Sequence, residues 1–289
     1  MAGGVHQKNP ALRWAWVKRA KRLSDLHPAL LRLRTAQLVA TRHLSDRIRR
    51  PRFARVQWSS SLPVTVVSHQ SRLRRRLAGL DPRYQETKIV NLGLAARSLD
   101  GLLIRPGELF SFWNRVGNPT ERRGFAPGLV LSHGEVSIDV GGGLCQMSNL
   151  LYWMALHTPL TVVEQHHHGF DPFPDDDRVQ PFGSGASVFY NYGDLRFLNA
   201  TDSTFQISVR LTDTDLVGAI RSDRELPTGF AVEERGHRFS SSGDGRVYRD
   251  NELWQIAVDR ATGAMLSSRL ITRNHALVRY PVPDGLIDA

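Results

Sequence analysis

A single cysteine, Cys145, occurs in 289 residues. That excludes an internal disulfide and fits a reducing compartment. No uninterrupted apolar run approaches the roughly 20 residues that a transmembrane helix needs. Near the N-terminus the best apolar stretch, Pro28-Ala29-Leu30-Leu31, is broken by Arg32 and Arg34. No secretion signal is therefore expected, and the predicted location is cytoplasmic, peripheral at the inner membrane face. Low-complexity tracts and clear internal repeats are missing, which excludes solenoids and biased linkers. Acidic residues are scarce at one end: residues 1–52 hold 13 Lys and Arg against two Asp, whereas the remainder holds 25 against 26. The basic character is thus a local property. With no nucleic-acid module in view, it argues against nucleic acid as a partner; the basic amphipathic segment within residues 1–52 either lies on an anionic membrane surface or packs its apolar face on the main domain with its arginines solvated.

What is present centres on Gly141-Gly142-Gly143-Leu144-Cys145-Gln146. Leu144, Met147, Leu150, Leu151 and Met154 follow at spacings of three and four, and Tyr152, Trp153 and Leu156 cover much of the remaining circumference. A helix apolar nearly all round is a buried helix. The fold class expected is α+β: a buried central helix after a glycine-rich loop, packed on a mostly antiparallel sheet. Residues 1–60 read as a basic amphipathic helical segment, 61–212 as the α+β domain and 213–289 as a β-hairpin-rich extension. Within these, the periodicity predicts two or three short helices over 10–50, a strand over 63–69 and a helix over 84–99. It also predicts a hairpin around His133-Gly134, a strand over 160–168 and another over 188–192.

Cys145 stands where a glycine loop enters a helix. Free N–H groups and the positive end of the helix dipole favour a thiolate there. Gly142, Gly143 and Ser148 would border a bound substrate, and Gln146 or the Gly143–Cys145 backbone could supply oxyanion donors. On a strand from 160, Glu164, His166 and His168 share one face. His168 would be the base and Asp194 its orienting acceptor, with His166 beside the substrate. The order Cys, His, Asp is that of papain-like, NlpC-type and transglutaminase-like enzymes. Alternatively Cys145 is a small buried hydrophobe. His166, His167 and His168 with Asp171, Asp175, Asp176 and Asp177 could hold zinc, but the carboxylates lie on a proline-rich loop, and no metal and no cofactor are expected.

Several stretches resemble the VanW family. They are Asn91-Leu92-Gly93-Leu94-Ala95, Pro106-Gly107-Glu108-Leu109-Phe110-Ser111-Phe112-Trp113, Gly143-Leu144-Cys145-Gln146-Met147-Ser148-Asn149-Leu150, Thr158-Pro159-Leu160-Thr161-Val162-Val163-Glu164 and Gln180-Pro181-Phe182-Gly183-Ser184-Gly185-Ala186. The resemblance is dense over about 63–211. It implies an accessory protein linked to glycopeptide resistance or the cell envelope, and no particular reaction. It also implies a histidine at the position of His168, and departs from the family pattern at Gly185, where many members carry Asp. Two functions are expected to compete: cysteine-dependent acyl transfer or amide hydrolysis on cell-wall peptides, and non-catalytic binding of a cell-wall peptide, its precursor or a partner protein. A membrane-surface scaffold built on residues 1–52 is a third.

Overall fold

The computed structural model of the chain describes residues 28–74, 81–132, 135–167, 169–171, 180–243 and 245–288. It opens on α1 (Pro28–Arg49), a single helix of 22 residues rather than several short ones. Pro28 suits a first helical position, and Arg47 and Arg49 in the last turn complement the dipole. The part of the 10–50 expectation before Pro28 lies outside the described residues. Next come β1 (Val64–Arg72), α2 (Arg83–Leu99), β2 (Leu102–Ile104), β3 (Leu109–Ser111) and the short α3 (Phe112–Val116). The hairpin β4 (Pro127–Ser132) and β5 (Glu135–Val140) leads to α4 (Cys145–Leu156). Then follow β6 (Thr161–Glu164), β7 (Phe170–Asp171), β8 (Arg196–Leu198), β9 (Phe205–Leu211) and β10 (Asp215–Ser222). The chain ends in the long strands β11 (Thr228–Ser241), β12 (Val247–Asp259) and β13 (Met265–Val278), and in β14 (Ile287–Asp288).

The architecture is α+β, with mostly antiparallel sheets. The central sheet has the order β1-β10-β9-β2, antiparallel throughout. It includes residues past 212, so the sheet that carries α4 ends at Ser222 rather than at residue 212. Helix α4 packs on β1 and β10, and α2 packs on β9 and β4. Met147, Leu150, Leu151, Tyr152, Met154, Ala155 and Leu156 are all buried on α4, as a helix apolar on every side requires. Phe110, Phe112, Phe197 and Phe205 complete that core without exposed surface.

A smaller sheet, β3-β8-β6, lies beside the central one. The C-terminal strands form the sheet β14-β11-β12-β13-β7. This extension reaches back to the core: Gln255 on β12 donates to Leu156 O at 2.7 Å and Thr158 O at 3.3 Å. Those carbonyls lie at and just past the end of α4, where a helix lacks partners of its own.

The predicted strand over 160–168 stops at Glu164. The pairing of β6 with β8 slips between Val162 and Glu164, which breaks the two-residue alternation. His166 therefore does not share a strand face with Glu164. Residues 188–192 form a turn closed by a Phe189–Gly193 bridge, not a strand.

Asn91 on α2 joins the helix to the glycine loop. Its Nδ2 donates to Ala126 O and Gly142 O, both at 2.9 Å, and its Oδ1 accepts from Ala126 N at 2.8 Å. Asn91→Ala removes three hydrogen bonds and leaves Gly142 O and the Ala126 N–H without a partner, since Ala126 O still accepts from Gly141 N; it should lower stability by about 2 kcal/mol in urea unfolding.

Candidate functional site

The glycine loop is held by close packing. A side chain on Gly142 would meet the Gly128 carbonyl carbon at 2.1 Å, and backbone cannot yield as a flexible side chain would. Gly143 has φ +91°, a conformation that L side chains rarely adopt, and its missing Cβ leaves room for the Lys88 stem. Cys145 is the first residue of α4, where the sequence places it. Its Sγ lies 4.0 Å from Val188 O and packs on the core. Among the described residues no imidazole nitrogen hydrogen-bonds it. The residue is half-buried, and desolvation of its sulfur pushes the thiol above its ordinary pKa, against the weaker pull of backbone hydrogen bonds. The helix terminus was expected to lower it; desolvation of the thiolate wins.

The neighbours expected to assist chemistry are engaged elsewhere. Gln146 Nε2 donates to Ser71 Oγ at 3.0 Å and Arg72 O at 2.8 Å, which ties α4 to β1. Ser148 is buried and donates to Ala186 O at 2.6 Å. Asn149 Oδ1 accepts from Ala186 N at 2.6 Å. The Gln146 backbone N–H is taken by Gly143 O, and that of Gly142 by Asp139 O. His168 lies outside the described residues, as do Asp175, Asp176 and Asp177. Asp171 is engaged by Arg249 at 3.0 Å and by the Tyr280 hydroxyl at 2.8 Å.

Asp194 stands in a different network. Its carboxylate has no exposure. It accepts from Ser111 Oγ at 2.5 Å, Arg196 Nε at 2.7 Å and Trp113 N at 3.1 Å. Burial pushes its pKa up, while the Arg196 charge and these donors pull it down. Arg196 then donates through both Nη atoms to Asp46 on α1, at 2.7 and 2.6 Å. Glu164 accepts a second fork from α1, from Arg42 at 2.7 and 2.5 Å. It also accepts from His166 Nε2 and from the Asp194 N–H, each at 3.0 Å. Burial works to raise the Glu164 pKa. The hydrogen bonds from His166, Arg42 and Asp194 and the Arg42 charge overcome it and hold the group at about 2. The structure thus places His166 and Asp194 on one carboxylate, Glu164, which sequence reasoning had treated only as a strand residue.

Beside this network lies a cavity of about 240 Å³. Asp46, Phe53, Trp113, Asn114, Tyr190 and Asn191 are among its walls. Asn191 is 7% exposed, and neither end of its side-chain amide hydrogen-bonds a described residue. Sequence reasoning missed it: Asn191 lies in a turn that reads as a strand, and its isolation is set by packing alone.

A family model described as VanW like protein matches residues 87–221. Over 266 residues the chain is 32% identical to the vancomycin B-type resistance protein VanW of Enterococcus faecalis, covering 92% of this chain and 96% of that one. The chain belongs to the VanW family. It is also 32% identical over 112 residues to the uncharacterized protein YoaR of Bacillus subtilis, 38% of this chain and 34% of that one. No solved structure matches it. The VanW-family span starts within α2 and ends in β10, so it encloses the glycine loop, Cys145, Glu164, Asp194 and Arg196, while α1 precedes it.

Two outcomes are expected. Near neutral pH, Cys145 should react with iodoacetamide more slowly than a free thiol, because burial keeps it protonated. Glu164 has a depressed pKa, so its contribution to stability is complete above about pH 4.5 and is lost as pH falls toward about 2. Thermal midpoints should drop across that window, and Glu164→Gln should flatten the dependence while lowering the midpoint at neutral pH.

Proposed function

We propose that this chain is a VanW-like accessory protein of glycopeptide resistance that acts by binding a cell-wall peptide or its precursor. The observation that carries this reading is the Asn191 amide. Its Oδ1 is buried without a partner; such an acceptor costs about 1–3 kcal/mol, a cost removed when a ligand donates the missing hydrogen bond. A side-chain amide offers two donors and an acceptor, the complement of a peptide group. Phe53, Trp113 and Tyr190 around it give apolar contact for short aliphatic side chains. The cavity is smaller than the about 300–1,000 Å³ that encloses drug-sized ligands, which suits the end of a chain rather than a whole precursor. The likeness to a vancomycin resistance protein supplies the cell-wall context.

A second reading, cysteine-dependent acyl transfer or amide hydrolysis on the same peptides, is favoured by Cys145 at the first position of α4 behind three glycines. Gly142, Gly143, Gln146, Ser148, His166, His168 and Asp194 are its supporting residues. Its weakness is the raised thiol pKa and the prior engagement of Gln146, Ser148 and Asp194 described above.

One experiment separates the two. The chain replaces VanW in a host that carries a vancomycin-resistance cluster, and the purified variants are titrated with N-acetyl-alanyl-alanine. Asn191→Ala should reduce resistance and weaken dipeptide binding about tenfold, the effect of some 1.4 kcal/mol, with stability unchanged or improved. Cys145→Ala should leave both intact. A folded Cys145→Ala protein that binds the dipeptide yet has lost resistance would transfer the function to the thiol.

A further inference from the structure

Helix α1 carries apolar residues on both sides: Leu38 and Val39, with Arg42 and Asp46, are half-buried on the side toward the body, and a second apolar stripe faces outward. Arg42 and Asp46 are half-buried and bound to Glu164 and Arg196. At 100° per residue, Leu30, Leu33, Leu44 and Ile48 fall on the opposite side, with Gln37, Ala40 and Thr41 between them. Their exposures are 45, 68, 59 and 71%. An ordinary surface helix turns such a stripe toward the core. Here Leu38, Val39 and the Arg42 and Asp46 ion pairs take the inward side, and four large aliphatic side chains are left in solvent along one line. Contiguous apolar surface of this kind marks an interaction site.

We propose that this face of α1 docks on an anionic lipid surface, with the helix lying in the plane of the interface. Exposed Arg47 flanks the stripe on one edge and half-buried Arg34 on the other, the arrangement that lets aliphatic side chains enter the headgroup region while guanidiniums stay with lipid phosphates. The charge decides among occupants. Residues 1–52 carry 13 Lys and Arg against two Asp, so a second copy would bring two strongly cationic segments face to face. Six of those Lys and Arg, and one of the Asp, lie in residues 1–27, and laying that segment over the stripe would crowd like charges. An anionic bilayer complements both the stripe and its margins. Among the described residues no helix is long and apolar enough to cross a membrane, so docking is on the surface. This inference rests on α1 alone and not on the peptide-binding reading.

The test is co-sedimentation of the full chain with vesicles of phosphatidylcholine alone and of phosphatidylcholine mixed with phosphatidylglycerol. Binding is expected only to the anionic vesicles, weakening at about 0.5 M salt, where the Debye length is only a few ångströms. The triple variant L33E/L44E/I48E should lower partitioning by more than about tenfold. Its thermal midpoint and dipeptide binding should match the wild type, because all three side chains point into solvent. Ile48→Ser alone, too mild to disturb folding, should give a smaller loss in the same direction. Equal sedimentation of wild type and both variants would overturn the proposal. So would a wild-type dimer in analytical ultracentrifugation that the triple variant dissociates, which would give the face to a second copy.

Discussion

The Arg196 guanidinium is the joint on which the rest of the structure turns. It lies between Asp194 and Asp46, 7% exposed on its side chain, with all three nitrogens engaged. Taking charges out of water costs several kcal/mol each, and an ion pair repays this only where geometry and further hydrogen bonds are good. Here they are. Asp194 is completed by Ser111 and the Trp113 N–H, and Ser111 Oγ in turn accepts from Asn114 N to cap α3. One buried pair thus sets the start of α3, the junction of β3 with β8, and the seat of α1. Breaking it from either side leaves an uncompensated buried charge. That asymmetry explains why so many polar groups converge on one place in an otherwise aromatic region.

Glu164 performs the same office one strand away. Three carboxylates, Asp46, Glu164 and Asp194, face two guanidiniums, Arg42 and Arg196. The alternation of sign sets each carboxylate against a guanidinium and fixes its direction. It also makes α1 a continuation of the site: its polar face closes the network on one side, while Asp46 and His43 line the cavity. The far end of the core is tied by a different device, the Gln255 amide on the carbonyls past α4, so the C-terminal sheet supports the central helix rather than standing apart from it.

Much of this scaffold could be read from the amino-acid order. Helix α4 was legible because its apolar residues cover every side, α2 because its pattern runs unbroken to Asp100-Gly101, and β9 and β10 because their alternation is clean. The glycine loop was legible as a close approach, although what approaches is backbone and a lysine stem, not a substrate. The site was legible only in part. Strand alternation carried His166 onto the face of Glu164, but a register slip precedes the end of β6 at Glu164, and no local signal in the sequence announces it. Asp194 beside Gly193 reads as a turn residue, and its burial depends on Ser111 and Arg196 together. The outward stripe of α1 was the least legible feature. Periodicity reports that apolar residues occur around the helix; which of them turn inward depends on distant partners, here the carboxylate and guanidinium that bind Arg42 and Asp46 beside Leu38 and Val39.

The distance along the chain between α1 and its anchors has a consequence for biosynthesis. Asp46 leaves the ribosome 150 residues before Arg196, and Arg42 122 residues before Glu164. At about 5–20 residues per second, the helix spends on the order of ten seconds as a nascent segment with neither partner made. During that interval nothing distinguishes its two sides except solvent. Orientation is imposed afterwards, when the late strands β6 and β8 arrive and capture the charged side by closing very long loops, an entropically slow step. Helix α1, though translated early, can take its seat only after β6 and β8 have been made.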